Sequence, residues 1–176
     1  MTIAEFDHLE VEEKKKLLQS CCGSTSWVNN MITALPAEDL VDLLEMAEDQ
    51  WYACHEADWR EAFSHHPQIG DIDALKEKFS ATAQWAEGEQ ASVKQASEQT
   101  LEQLAEGNQV YKERFGYIFI VCATGKSADE MLQLLNQRLY NNPEVEIQVA
   151  MEEQLKITKL RLEKLFGITT RTTTNT

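Results

Sequence analysis

The stretch Ser64 to Asp71, reading Ser-His-His-Pro-Gln-Ile-Gly-Asp, is where the residue types could do chemistry. It holds two of the four histidines in the chain, and histidine is the side chain whose ordinary pKa lies nearest neutrality. Pro67 lacks a backbone N–H and disfavours the helical region for the residue before it, so His66 is expected to leave the preceding helix extended, its ring aimed away from the helix end. On residue type alone the stretch also reads as a polar loop after a helix.

A second anomaly lies far along the chain. Plotting Pro143 to Phe166 at about 100° per residue places Ile147, Ala150, Met151, Ile157, Arg161, Leu162 and Leu165 in one broad sector, and Glu152, Glu153, Lys156, Lys159 and Glu163 in the other. Arg161 thus sits on the core-facing stripe, where a guanidinium is costly unless it meets an anion. That anion could be a core carboxylate or the carboxylate of a substrate, which an arginine fork matches in bidentate fashion; the side chain could also snorkel from the edge of the stripe. Glu89 and Gln90 follow Trp85 and Ala86 in a weakly charged neighbourhood. They read either as surface residues or as groups that orient a histidine ring and hold a planar amide, since Gln90 both donates and accepts.

Three other patterns carry less. Ala123-Thr124-Gly125-Lys126-Ser127 imitates the end of a phosphate-binding loop, but the full pattern needs glycine at position 120, where Ile120 stands. His55, His65 and His66 match no recognised zinc-ligand spacing, so no metal is expected. Cys122 lies inside an apolar run, where a thiolate is disfavoured and a core role fits better than a nucleophile.

Composition bounds what these groups can serve. At 176 residues the chain is long enough for about one domain with its own core. Hydrophobic and charged residues, 43% and 26% of the chain, sit near the averages for a globular domain. The net charge of −14 repels nucleic acid and anionic lipid, so neither is expected as a partner. Its acidic excess falls on helical repeats such as Glu12, Glu45, Glu48, Glu102 and Glu106, which read as a solvated face. Cys21, Cys22, Cys54 and Cys122 form no CxxC and read as reduced core residues. No window reaches the roughly 18 apolar residues of a membrane span and no secretory pattern opens the chain, so a cytoplasmic protein is expected.

The elements that must position the histidines are helical throughout. Residues 9–22 read as an amphipathic helix ended by Gly23, with Leu9, Val11, Leu17, Leu18, Cys21 and Cys22 on its apolar side. Short helical patterns follow at 27–35, before Pro36, and at 57–63, and a longer one at 37–54 carries Leu40, Leu43, Leu44, Ala47 and Trp51. Further patterns run over 72–79, 84–94 and 97–115, the last stopped by Gly116. Tyr117 to Ala123 is an unbroken apolar run without a partner strand, and is expected to cross the core extended or briefly helical. Ser127 with Glu130 forms a capping-box pattern that opens a helix through Leu139. Asn142 and Pro143 suit the N-cap and first turn of a last helix reaching Phe166, closed by Gly167. The expected architecture is all-α, a single domain of roughly eight helices over 1–167, with a disordered Thr-rich tail over 168–176.

Taken as a set in this order, His66-Pro67 with Ile69-Gly70-Asp71, Glu89-Gln90, Tyr111-Lys112-x-Arg114-Phe115-Gly116 running into Phe119 to Ala123, Arg138-Leu139, Glu146, Ala150 and Glu153, and Ile157 through Arg161-Leu162 resemble one family. It is the 2-oxo-4-hydroxy-4-carboxy-5-ureidoimidazoline (OHCU) decarboxylases of urate degradation. The resemblance implies an all-helical, cofactor-free enzyme, usually a homodimer, that converts OHCU to (S)-allantoin and carbon dioxide. It implies His66 as proton donor and Glu89 as a second catalytic group. Substrate contacts are implied at Pro67, at Ala86, Glu87, Gly88, Glu89 and Gln90, at Phe119, Ile120, Val121, Cys122 and Ala123, and at Arg161. Where relatives often carry serine at the first position of the 86–90 segment, this chain has Ala86, so a hydroxyl contact is absent or replaced. The contrasting expectation from another class is a non-catalytic helical scaffold that binds a protein partner.

Overall fold

The computed structural model describes residues 1–66 and 91–167, with the side chains of residues 91–97 outside that description. The described residues form eight helices and no strand: α1 (Ile3–Asp7), α2 (Val11–Cys21), α3 (Thr25–Ala34), α4 (Leu40–Tyr52), α5 (Glu56–Ser64), α6 (Ala91–Phe115), α7 (Ala128–Arg138) and α8 (Pro143–Leu165). The all-α expectation holds. The helical patterns at 72–79 and 84–90 and the tail at 168–176 lie outside the described residues; residues 91–94 form the start of α6. No helix among the described residues is long and apolar enough to cross a membrane.

The chain splits into two compact units, Met1–His65 with Glu152–Thr176, and His66–Met151. In the first, α3, α4 and α5 meet around three aromatic side chains. Trp27 is fully buried and its indole N–H donates to the Ala47 carbonyl at 3.0 Å, tying α3 to α4. Trp51 is buried beside the half-buried Trp59, whose Nε1 donates to the Trp51 carbonyl at 3.2 Å, so the Trp27 and Trp59 indoles both find backbone acceptors within this unit. Phe6 on α1 meets Phe166 edge-on with ring centroids 5.7 Å apart. The short α1 went unread in the sequence; it is capped at both ends of a box, Thr2 Oγ1 accepting from Glu5 N while Glu5 Oε2 accepts from Thr2 N, each at 3.1 Å.

Besides Arg161, taken up with the site below, two residues are not where the periodic pattern puts them. Val11, at the first turn of α2, is 49% exposed rather than on the apolar side. Glu153, placed on the polar face of α8, is buried, with Lys156 Nζ 2.7 Å from its Oε2.

In the second unit α6 packs against α7, with Leu101, Leu104, Tyr111 and Phe115 buried on one and Met131 and Leu135 on the other. Leu135 approaches so near Gly107 that a Cβ there would stand 2.6 Å from its Cδ2, so this glycine sets how closely the two helices pack. Gly116, at φ 83°, ends α6, and residues 118–123 run on without helix or strand. The run over Tyr117 to Ala123 is thus not helical, and Tyr117, Ile120 and Cys122 are buried within it. α7 opens at Ser127, whose Oγ accepts from Glu130 N at 3.2 Å. α8 opens at Asn142, whose Oδ1 accepts from Val145 N at 2.9 Å.

Candidate active site

His66 follows directly on a helix end. α5 stops at Ser64, His65 caps it in the αR region with its N–H on the Ala62 carbonyl at 3.2 Å, and His66 stands one residue beyond, half-buried. The start of α5 is held by Asp58, whose Oδ2 accepts from His55 N at 3.0 Å and whose Oδ1 accepts from Ser26 Oγ at 2.8 Å. Those bonds, the backbone one first, hold the Asp58 carboxyl below its ordinary range against the opposing effect of burial. His65 lies over Gly23, whose missing side chain admits the imidazole. That gives His65 a packing partner on the loop before α3.

The Phe119–Ala123 segment is built around a buried charge. Glu146 is fully buried in the first turn of α8. Its Oε1 accepts from Arg138 Nε at 2.7 Å and from Tyr111 Oη at 2.5 Å, and its Oε2 accepts from Asn141 Nδ2 at 2.9 Å. Arg138 Nη2 also lies 2.6 Å from Oε1. Such a pair stabilises only when its remaining donors and acceptors are met, because two ions have left water. Arg138 meets part of that condition through a second interaction, its Nη1 donating to the Ile120 carbonyl at 2.6 Å, while among the described residues Nη2 has only the ion-pair contact with Glu146. Its guanidinium carbon stands 4.5 Å from the Phe119 ring centroid. Burial, and then the bond to Glu146, push the Tyr111 phenol far above its ordinary value, so it remains a protonated donor.

Lys126, the lysine of the imitation phosphate loop, is turned onto the protein itself. Its Nζ donates to the Cys122 carbonyl at 2.7 Å, across a tight turn in which Lys126 N donates to the Ala123 carbonyl at 3.1 Å.

Arg161 departs from its expected position. It is exposed, not on the buried stripe of α8, which runs through Met151, Leu155, Thr158 and Leu162. It occupies the edge of that stripe, and its long stem carries the guanidinium outward. Among the described residues its hydrogen-bond partner is the Cys21 carbonyl, 3.4 Å from Nη1, and no described carboxylate pairs with it. His66 and Phe119–Ala123 belong to one unit and Arg161 to the other. Pro67, Ala86, Glu87, Gly88, Glu89 and Gln90 lie outside the described residues.

A family model for OHCU decarboxylase matches residues 7–163. The chain belongs to the OHCU decarboxylase family. This family member is 38% identical over 148 residues to the Arabidopsis thaliana uric acid degradation bifunctional protein TTL, the match covering 84% of this chain and 45% of that protein. It is 47% identical over 58 residues to the Amia calva 2-oxo-4-hydroxy-4-carboxy-5-ureidoimidazoline decarboxylase, a third of either chain. The matches thus span under half of these curated relatives. Among solved structures it is similar to an OHCU decarboxylase crystallised in the presence of (S)-allantoin, with TM-score 0.70 and 37% identity over 91% of this chain and 100% of that one. A TM-score of 0.66 at 17% identity to an (S)-allantoin synthase shows a shared fold.

Arg138, Glu146 and Tyr111 entered the sequence reading only as part of the family pattern, with no role attached. A signal was present, since Met131, Leu135 and Arg138 recur at helical spacing and Glu146 adjoins Ile147 and Ala150. The same charge-on-a-stripe criterion that selected Arg161 picks out this pair.

Proposed function

We propose that this chain decarboxylates OHCU to (S)-allantoin in urate degradation. The observation that carries the proposal is the likeness, over the whole of that chain, to the OHCU decarboxylase crystallised with (S)-allantoin.

The substrate supplies its own electron sink. The carbon that bears the carboxylate adjoins a C=N bond, so when the bond to CO2 breaks its electron pair forms a C=C bond and the imine pair moves onto nitrogen, which takes a proton. The hydroxyl on the first carbon then gives up its proton as it becomes a carbonyl, and the ureido-bearing carbon takes a proton on one face. The protein must fix the carboxylate, stabilise the developing charge and deliver that last proton. His66 is the proton donor in this reading, which sets the (S) configuration, and Glu89 orients it. Pro67, Ala86 to Gln90 and Phe119 to Ala123 surround the ring, the last through backbone groups. Arg161, exposed at the edge of its stripe, donates to a ring or ureido carbonyl oxygen of the substrate rather than to the carboxylate, its one anionic group, which is the group that departs; a tight grip on that carboxylate would stabilise the ground state and slow the step. The same reading carries a homodimer in the cytoplasm, tested by light scattering and by cell fractionation.

The deciding experiment is circular dichroism of allantoin formed from freshly generated OHCU with and without the protein. Accelerated appearance of one enantiomer is expected. A racemic product forming at the spontaneous rate would remove the proposal.

A further inference from the structure

We infer that Arg138 and Lys126 are positioning residues that hold alternate carbonyls along one edge of the Phe119–Ala123 segment, those of Ile120 and Cys122, and so present the opposite edge to the substrate. What the segment binds rests on the decarboxylase reading; how it is held does not.

In an extended chain the groups of residues i and i+2 point one way and those of i+1 the other. The segment follows this period twice. Ile120 and Cys122 are buried, at 2% and 7% exposure, while Phe119, Val121 and Ala123 are half-buried. The two cations select the same pair of residues, Arg138 Nη1 donating to the Ile120 carbonyl at 2.6 Å and Lys126 Nζ to the Cys122 carbonyl at 2.7 Å. The N–H and C=O of Val121 therefore lie on the edge that neither cation occupies. A planar ring with alternating amide N–H and C=O groups matches a backbone edge as a neighbouring strand would.

The two holds differ in kind. Arg138 is buried and cannot swing, because Glu146 accepts from its Nε and is itself held by Tyr111 and Asn141. Lys126 is half-buried and is brought back by the turn that follows Ala123, where Gly125 has φ 75°. Removing the lysine should thus loosen the segment while leaving the buried pair intact.

The test compares the full chain with Lys126→Met, Lys126→Arg and Arg138→Lys, by amide hydrogen exchange and by steady-state kinetics on fresh OHCU. Lys126→Met is expected to melt as the parent does, to exchange about tenfold faster across 119–123, and to raise KM about tenfold with a smaller change in kcat. Lys126→Arg restores a donor and is expected to return both readings toward the parent. Arg138→Lys, if folded, moves both further. Parental exchange and KM in Lys126→Met overturn the inference, as does faster exchange with KM unchanged. If the parent chain is inert toward OHCU, the decarboxylase reading falls by itself; the clamp then stands if exchange across 119–123 quickens in Lys126→Met and falls if it does not.

Discussion

A Cβ built on Gly23 would stand 2.6 Å from Cγ and Cδ2 of His65, so the loop between α2 and α3 and the residue before His66 are in close contact. Real side chains do not approach so near, and the absence of one at position 23 is what lets the imidazole lie there. Gly23→Ala should displace His65 and, through the chain, His66. The expected cost is about 1–3 kcal/mol of stability, typical of an extra methyl forced into a packed site, together with loss of activity. His65→Ala in the same chain should recover most of the stability by removing the ring. A thermal melt of the two single variants and the double variant checks this; additive losses would show that the contact is not the cause.

His66→Asn keeps a polar side chain of similar reach but cannot deliver a proton near neutrality. The rate of (S)-allantoin formation should fall about 10²- to 10⁴-fold, the range for a lost general acid, with the fold intact by circular dichroism. An unchanged rate would disqualify His66 as the donor.

Arg161→Met separates a structural arginine from a ligand-binding one. Because the residue is exposed and donates only a 3.4 Å bond to a backbone carbonyl among the described residues, stability should change by no more than about 0.5 kcal/mol. Substrate KM should nonetheless rise about tenfold, the loss of one charged contact. A large drop in melting temperature with KM unaltered would reassign it to the scaffold.

Asp58→Asn bears on pH. The Asp58 carboxyl titrates below its ordinary value of 3.8 in the folded chain, first because it accepts the His55 N–H. A depressed folded pKa contributes stability that is present above the unfolded pKa and lost as pH falls through the folded one. The variant should therefore be less stable near pH 7, by about 1 kcal/mol as for a lost cap, and the difference should shrink as pH drops below 3.8. Denaturant melts at several pH values measure it. A gap that stays constant into acid would mean the charge is not responsible.

The thiols offer a chemical check on the first unit. Burial pushes Cys22 up to about 12 and Cys54 up to about 11, so both are protonated at pH 8 in the fold. Labelling by iodoacetamide at that pH should leave them unmodified in the native chain and modify both after unfolding. Rapid native labelling of Cys22 would contradict its placement in the core.

Much of the architecture was legible because its signals are local. Asn142-Pro143 and Ser127 announce the starts of α8 and α7 through caps that a sequence displays directly, and a lone apolar run with no partner strand identified Tyr117 to Ala123 as a core crossing. The site was less legible. A helical wheel treats the stripe of α8 as one sector, whereas burial depends on which neighbours reach each side of it, so Arg161 came out exposed and Glu153 buried. Glu146 reads as one more acid in an acidic chain until its partners are known, and Tyr111 is 35 residues away from it. A charge whose burial depends on so distant a donor cannot be recognised by periodicity.

The carboxylate of Glu146 also constrains how the chain can diverge. Its donors come from Tyr111 before the Phe119–Ala123 segment and from Arg138 and Asn141 after it. Altering any one leaves a buried ion or hydroxyl short of one of its partners, so exchanging this group for an apolar core costs least when several positions change together. A single substitution here is therefore costly, and it reaches the Ile120 carbonyl too, because the arginine that Glu146 holds also donates to it.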